Sequence, residues 1–147
     1  MIELNLPEID CNIRKKEGKI EIFDVIRKKF VALTPEEWVR QHIVHFLIFQ
    51  RDYPRSLIRV ESGLKYNQLK KRSDILVYNR MARPFLVVEC KSYDVSISQA
   101  TLNQVSIYNK QLGAQFAMVS NGLIHYCCEF DHGAGKMKFI DSFPAFK

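Results

Sequence analysis

The segment Leu86-Val87-Val88-Glu89-Cys90-Lys91 constrains this chain most, because an apolar strand core there ends on two opposite charges two residues apart. Strand side chains alternate between two faces, so Glu89 and Lys91 point the same way and Cys90 points to the other side. The strand is read from Phe85 to Lys91. A neighbouring strand candidate, Ser73 to Tyr78, carries its only acid, Asp74, near its start. If the two strands run antiparallel, Asp74 comes close to Glu89, and the interval from 74 to 89 holds two short strands and a turn.

The pattern around this pair predicts an α/β chain. Thr34-Pro35-Glu36-Glu37 is a helix start: Thr caps the first free amides, Pro suits the first helical position, and Glu37 completes a capping box. A helix of about four turns should run to near Gln50. At 100° per residue, Val39, Ile43, Phe46 and Leu47 share one face with Glu36, while Glu37 points well away. Capping and the helix dipole explain Glu37; an acid beside the apolar stripe suits a site-facing role for Glu36. Trp38 and Phe49 read as core anchors.

Leu57 to Leu64 is a further strand candidate. Ser98 to Leu112 reads as a second helix with Ser98 as N-cap and Gly113 at its end. Ala117 to Ser120 and Leu123 to Phe130 follow as strands around the turn Asn121-Gly122. Residues 1–33, with Glu17-Gly18 between basic flanks and an alternating apolar pattern, read as a hairpin or arm packed at an edge of a core formed by 34–147. That segment is either a solvated charged edge or a DNA-contacting arm. The expected architecture is a sandwich, a mixed central sheet flanked by the two helices.

With 147 residues the chain fits one domain that can bury a sizeable core. Hydrophobic residues at 47% and charged residues at 26% exclude a disordered or membrane-embedded chain. No apolar run approaches the roughly 20 residues needed to cross a bilayer, and the N-terminus does not read as a signal peptide, so a cytoplasmic location is expected. Cys11, Cys90, Cys127 and Cys128 form no C-x-x-C pair and are read as reduced, mostly buried thiols. The net charge of +6 favours an acidic partner such as nucleic acid, although solubility alone also accounts for it. Lys70, Lys71 and Arg72, just before Asp74, are either phosphate contacts or a solvated loop.

Two converging carboxylates repel each other, and a hard divalent cation with oxygen ligands relieves that repulsion. Mg²⁺ fits Asp74 and Glu89. Such a cation polarises a phosphate and helps to generate hydroxide, and the Lys91 ammonium orients the attacking water or stabilises charge developing on phosphorus. The expected chemistry is phosphodiester hydrolysis; the bland alternative is a surface ion pair between Glu89 and Lys91. Gly133-Ala134-Gly135-Lys136 lacks the phosphate-loop pattern and is read as a glycine turn. His42 and His45 more readily flank a packed helix face than bind zinc.

Gln104 and Tyr108, at i and i+4, share a face of the second helix. Together with PEEWVRQ at 35–41, RSDILVY at 72–78, LVVECK at 86–91, QVSIYN at 104–109 and VSNG at 119–122, this set resembles the PD-(D/E)XK nucleases. More narrowly, it is similar to the N-terminal nuclease domain of type I restriction enzyme R subunits and its stand-alone relatives. The resemblance implies a restriction-endonuclease-like fold, with Asp74 and Glu89 as metal-binding acids, Lys91 as the catalytic lysine and Glu36 completing the site. It further implies Gln104 and Tyr108 near the scissile phosphate or the DNA, the Cys90 carbonyl as an additional metal ligand, and Mg²⁺ or Mn²⁺ as cofactor. DNA would be the substrate, and a second copy or restriction-system subunits the partners. Ser73 stands where the superfamily pattern has proline, and the ATP-driven translocase into which R subunits continue has no counterpart motif in this sequence. A binding module of the same fold that does not cleave, or cleaves only with a partner chain, and a purely structural domain are the competing readings.

Overall fold

The structure, a computed structural model, describes residues 1–60 and 74–147. Lys70, Lys71 and Arg72, read above as phosphate contacts or a solvated loop, lie outside the described residues, as do Ser73 and the far end of the Leu57 to Leu64 candidate.

The chain opens on a three-stranded antiparallel meander of β1 (Ile13–Lys16), β2 (Lys19–Asp24) and β3 (Lys29–Ala32). The expected hairpin is therefore present with a third strand added. Glu17 and Gly18 both take positive φ, 52° and 79°, the geometry of a two-residue turn matched to strand twist. Ile22 and Asp24, on one face of β2, are fully buried, which fixes the sheet against the rest of the molecule.

Helix α1 (Pro35–His45) starts at Thr34, whose hydroxyl accepts the Glu37 amide at 3.1 Å. It continues to Gln50 as a π-helical turn, Phe46–Gln50, so the expected end is right but its last turn is wider than α. After a short 3-10 turn at Arg55–Leu57 come β4 (Ile58–Val60), β5 (Ile75–Tyr78), β6 (Pro84–Cys90), α2 (Gln99–Leu112), β7 (Phe116–Ser120), β8 (His125–Asp131) and β9 (Lys136–Ile140). Ser98 caps α2 through the Thr101 amide and Gly113 closes it in the left-handed region, both as expected.

Strands β4 to β9 lie in sequence order in one mixed sheet, antiparallel throughout except for the parallel β6–β7 pair bridged by α2. Alternation sorts the core into two layers. Ile75, Val77, Leu86 and Val88 pack with Val39, Ile43 and Leu47 of α1. Leu76, Val87 and Val119 pack with Val105 and Tyr108 of α2. The result is the mixed α/β sandwich anticipated from the sequence.

Three expectations need correction. The capping box is half made: Thr34 caps the helix, but the Glu37 carboxylate turns to arginine and glutamine side chains instead. Phe49 is not a core anchor, being 54% exposed beside His45 and under the Arg55 guanidinium. Strand β9 was not anticipated; the glycine turn read at Gly133 to Lys136 is present at 132–135, with Lys136 opening the strand. All four cysteines carry free thiols. No helix among the described residues is long and apolar enough to cross a membrane.

Candidate functional site

The antiparallel register of β5 on β6 pairs Ile75 with Val88, so the next position outward sets Asp74 beside Glu89. The Asp74 amide donates to the Val88 carbonyl at 3.1 Å, and the Cys90 amide donates back to Asp74 Oδ2 at 2.7 Å. Asp74 is thus clamped onto the polar end of β6. Both acids are buried. Lys91 follows directly, its amide bonded to the Ser120 carbonyl at 2.8 Å and its Nζ 4.0 Å from Glu89 Oε2. Asp74, Glu89 and Lys91 therefore meet at one end of the sheet.

Arg40 on α1 completes the electrostatics. Its Nη2 lies 2.6 Å from Asp74 Oδ1 and 3.1 Å from Glu36 Oε2, while Nη1 lies 2.6 Å from Glu37 Oε1. Burial opposes the guanidinium charge, but Asp74 and Glu37 outweigh it and hold Arg40 firmly protonated. The chain of charges continues outward. Arg27 reaches Glu37 at 3.1 Å and Asp24 at 2.6 Å, and Gln41 Nε2 bridges Asp24 and Glu37 at 3.0 and 2.9 Å. Asp24 is fully buried; burial favours its neutral form, yet the Arg27 backbone and side-chain hydrogen bonds hold the carboxyl below its ordinary range. A buried ionic path thus links the N-terminal sheet to Asp74.

The helical wheel placed Glu36 inward and Glu37 away, and the structure reverses this. The Glu37 side chain is 7% exposed and the Glu36 side chain 48%. The wheel weighed only apolar neighbours on the helix, whereas Glu37 is covered by Arg27 from the turn between β2 and β3. Glu36 still touches the site, through the same Arg40 nitrogen that holds Asp74. Arg40, Glu37 and Arg27 were missed at the sequence level. One signal was available: Arg40 stands four and three residues after the two glutamates, the spacing of helical ion pairs.

On α2, Gln104 is exposed, while Tyr108 is buried in the layer beside Leu76, Val87 and Val119. The Cys90 side chain is fully buried, and that burial pushes its thiol well up, with the Asp74 carboxylate adding to the effect. A neutral thiol facing the core leaves only the Cys90 backbone carbonyl for coordination.

The donors suit a hard cation. Two carboxylates with a carbonyl match Mg²⁺, which keeps several waters and takes one or two protein carboxylates plus substrate phosphates. Among the described residues no three His, Cys, Asp or Glu side chains form a self-sufficient metal cluster. Both Asp74 oxygens already accept a hydrogen bond, yet each carboxylate oxygen keeps a second lone pair.

The fold is a mixed α/β sandwich with Asp74, Glu89 and Lys91 at one end of its sheet. The chain belongs to the family of type I restriction enzyme R protein N-termini (HSDR_N), whose model matches residues 35–144. A solved fragment of a protein assigned as the HsdR subunit of a type I restriction enzyme from Vibrio vulnificus YJ016 is 29% identical. That similarity covers 60% of this chain and 16% of the other, with a TM-score of 0.38, so this chain spans a small part of that relative's length. No curated protein matches the chain significantly.

Proposed function

We propose that this chain is a metal-dependent nuclease domain of the PD-(D/E)XK type that hydrolyses DNA phosphodiester bonds within a restriction system. The observation that carries this reading is the β5–β6 register, which brings Asp74, Glu89 and Lys91 together at one sheet end. Family membership supports the restriction context and the choice of DNA.

Asp74, Glu89 and the Cys90 carbonyl would hold Mg²⁺ or Mn²⁺. Such an ion, when bound, polarises the phosphate and makes hydroxide available near neutral pH. Arg40 fixes the Asp74 rotamer, with Glu36 and Glu37 holding the guanidinium in turn. Lys91, about a third exposed, orients the attacking water and balances the charge that builds on the phosphoryl oxygens. Gln104, exposed on α2, contacts the phosphate backbone, and Tyr108 sets the position of that helix.

The engagement of both Asp74 oxygens favours a second reading, in which the domain binds DNA but cleaves only with a partner subunit of the same system or a second copy of itself. The test incubates the protein with supercoiled, linear and single-stranded DNA, with and without Mg²⁺ or Mn²⁺, beside Asp74→Ala and Lys91→Ala. Metal-dependent nicking lost in both variants is expected. Cleavage that survives both substitutions removes the proposed site, and binding without metal-dependent cleavage supports the partner-dependent reading.

A further inference from the structure

We propose that the projecting β1–β2 hairpin is a docking arm for duplex DNA, with a backbone phosphate seated between Lys16 and Lys19. The choice of DNA rests on the function proposed above; the surface itself rests on different residues. Residues 1–34 lie outside the stretch matched by the family model, so nothing in that match assigns the hairpin a role.

The register puts Lys16 directly opposite Lys19 and Arg14 opposite Glu21. These four side chains share the face of the sheet turned away from the buried Ile22 and Asp24, together with Phe23 and Phe30. Every residue of β1 is exposed, and so is Ile20 on the opposite face, so the hairpin end stands clear of the body. A two-stranded ribbon of this kind fits the major groove of B-DNA.

Like charges directly opposite each other across two strands are destabilising, and Lys16 and Lys19 are such a pair. The acid opposite Arg14 on that face, Glu21, is already paired with it at 2.8 Å. A phosphate between the two ammonium groups turns this repulsion into attraction. The β1–β2 hairpin carries Arg14, Lys15, Lys16 and Lys19 against Glu17, Glu21 and Asp24, and of these acids Glu21 is paired with Arg14 and Asp24 is buried against Arg27.

The face is also rigid. Arg14 lies 3.8 Å over the Phe30 ring, whose edge meets Phe23 at 5.3 Å between centroids. On the inner side, Asp24 and Arg27 tie the sheet through Glu37 and Arg40 to Asp74. A strand held by the arm is thereby held at a fixed offset from the proposed cleavage centre.

Anisotropy of a labelled duplex in EDTA, titrated over a range of salt, tests this without cleavage. Lys16→Glu/Lys19→Glu should weaken binding at least about 10-fold at low salt and lower the log–log salt slope by about 1, for the one phosphate contact removed. Lys16→Gln/Lys19→Gln should do so to a smaller degree, which separates lost contact from misfolding once circular dichroism shows a native melt. Lys110→Glu/Lys136→Glu, with the same charge change elsewhere, should have a clearly smaller effect. Unchanged affinity in the hairpin variants, an equal loss in the control, or stronger binding to phosphatidylserine vesicles than to DNA overturns the proposal. Loss of affinity in the hairpin variants of a protein that shows no metal-dependent cleavage leaves the arm standing and removes the reading in which the domain cleaves by itself. Intact affinity beside active cleavage does the reverse.

Discussion

Arg40 is the residue on which the electrostatics of the site turn, since it contacts Asp74 and Glu37 at 2.6 Å each from a nearly buried position. Removing one partner of a buried pair leaves the others uncompensated, so Arg40→Ala should cost about 3–5 kcal/mol in urea unfolding. Arg40→Lys should recover part of this, because an ammonium cannot fork between two carboxylates as a guanidinium does. Glu36 and Glu37 offer an internal comparison. Glu36→Gln should change stability by less than about 1 kcal/mol, as expected for a half-exposed partner, and Glu37→Gln by distinctly more. Equal effects would contradict the assignment of Glu37 to the buried path. The sequence made Asp74, Glu89 and Lys91 legible because strand alternation and a short hairpin suffice to bring them together. It hid Glu37 because the arginine that covers it arrives from ten residues upstream, in the turn between β2 and β3.

At the scale of elements, the caps and the strand pair at the site could be read directly, since Thr34, Ser98 and Gly113 act locally. Strand β9, Lys-Met-Lys-Phe-Ile, alternates weakly and lies largely exposed at the sheet edge, so neither burial nor a turn residue beyond it marked it out. The turn after β7 is tighter than its sequence indicated. A Cβ on Gly122 would fall 2.8 Å from a Leu4 methyl and 3.1 Å from Val39, at a φ of +84°. Gly122→Ala should therefore lower stability by at least about 1 kcal/mol in the same urea measurement. Three histidines, the buried His42 and His45 on α1 and the half-buried His125 at the start of β8, are all held below their ordinary value of 6.5, mainly by desolvation. The unfolded chain binds protons more readily at these sites. Stability should be complete above the unfolded value of 6.5 and decline as pH falls below it, with a second loss below 3.8 as Asp24 protonates through its depressed folded value. Thermal melts by circular dichroism from about pH 8 to about pH 4 should show a falling Tm, and a flat profile would contradict the neutral state of these histidines in the fold.

For the whole molecule, residues 1–33 were expected to be an arm packed at an edge, and their contacts reach further. Leu4 joins the main core, the Asn5 amide bonds the Gly122 carbonyl at 2.8 Å, and Trp38 Nε1 donates to the Ile2 carbonyl at 2.9 Å. A chain restricted to 34–147 would expose this surface and strip Arg27 from Glu37. It should lose cooperative unfolding, as read by near-ultraviolet circular dichroism on heating. The central claim is that Asp74 and Glu89 share one divalent cation, and the most direct measurement is a Mn²⁺ titration followed by electron paramagnetic resonance at neutral pH. Wild-type protein should show a saturable site that Glu89→Gln weakens at least about 10-fold, a loss on the scale reported for perturbed metal sites, while Glu129→Gln leaves it unchanged; equal Mn²⁺ affinity in wild type and Glu89→Gln would contradict the account.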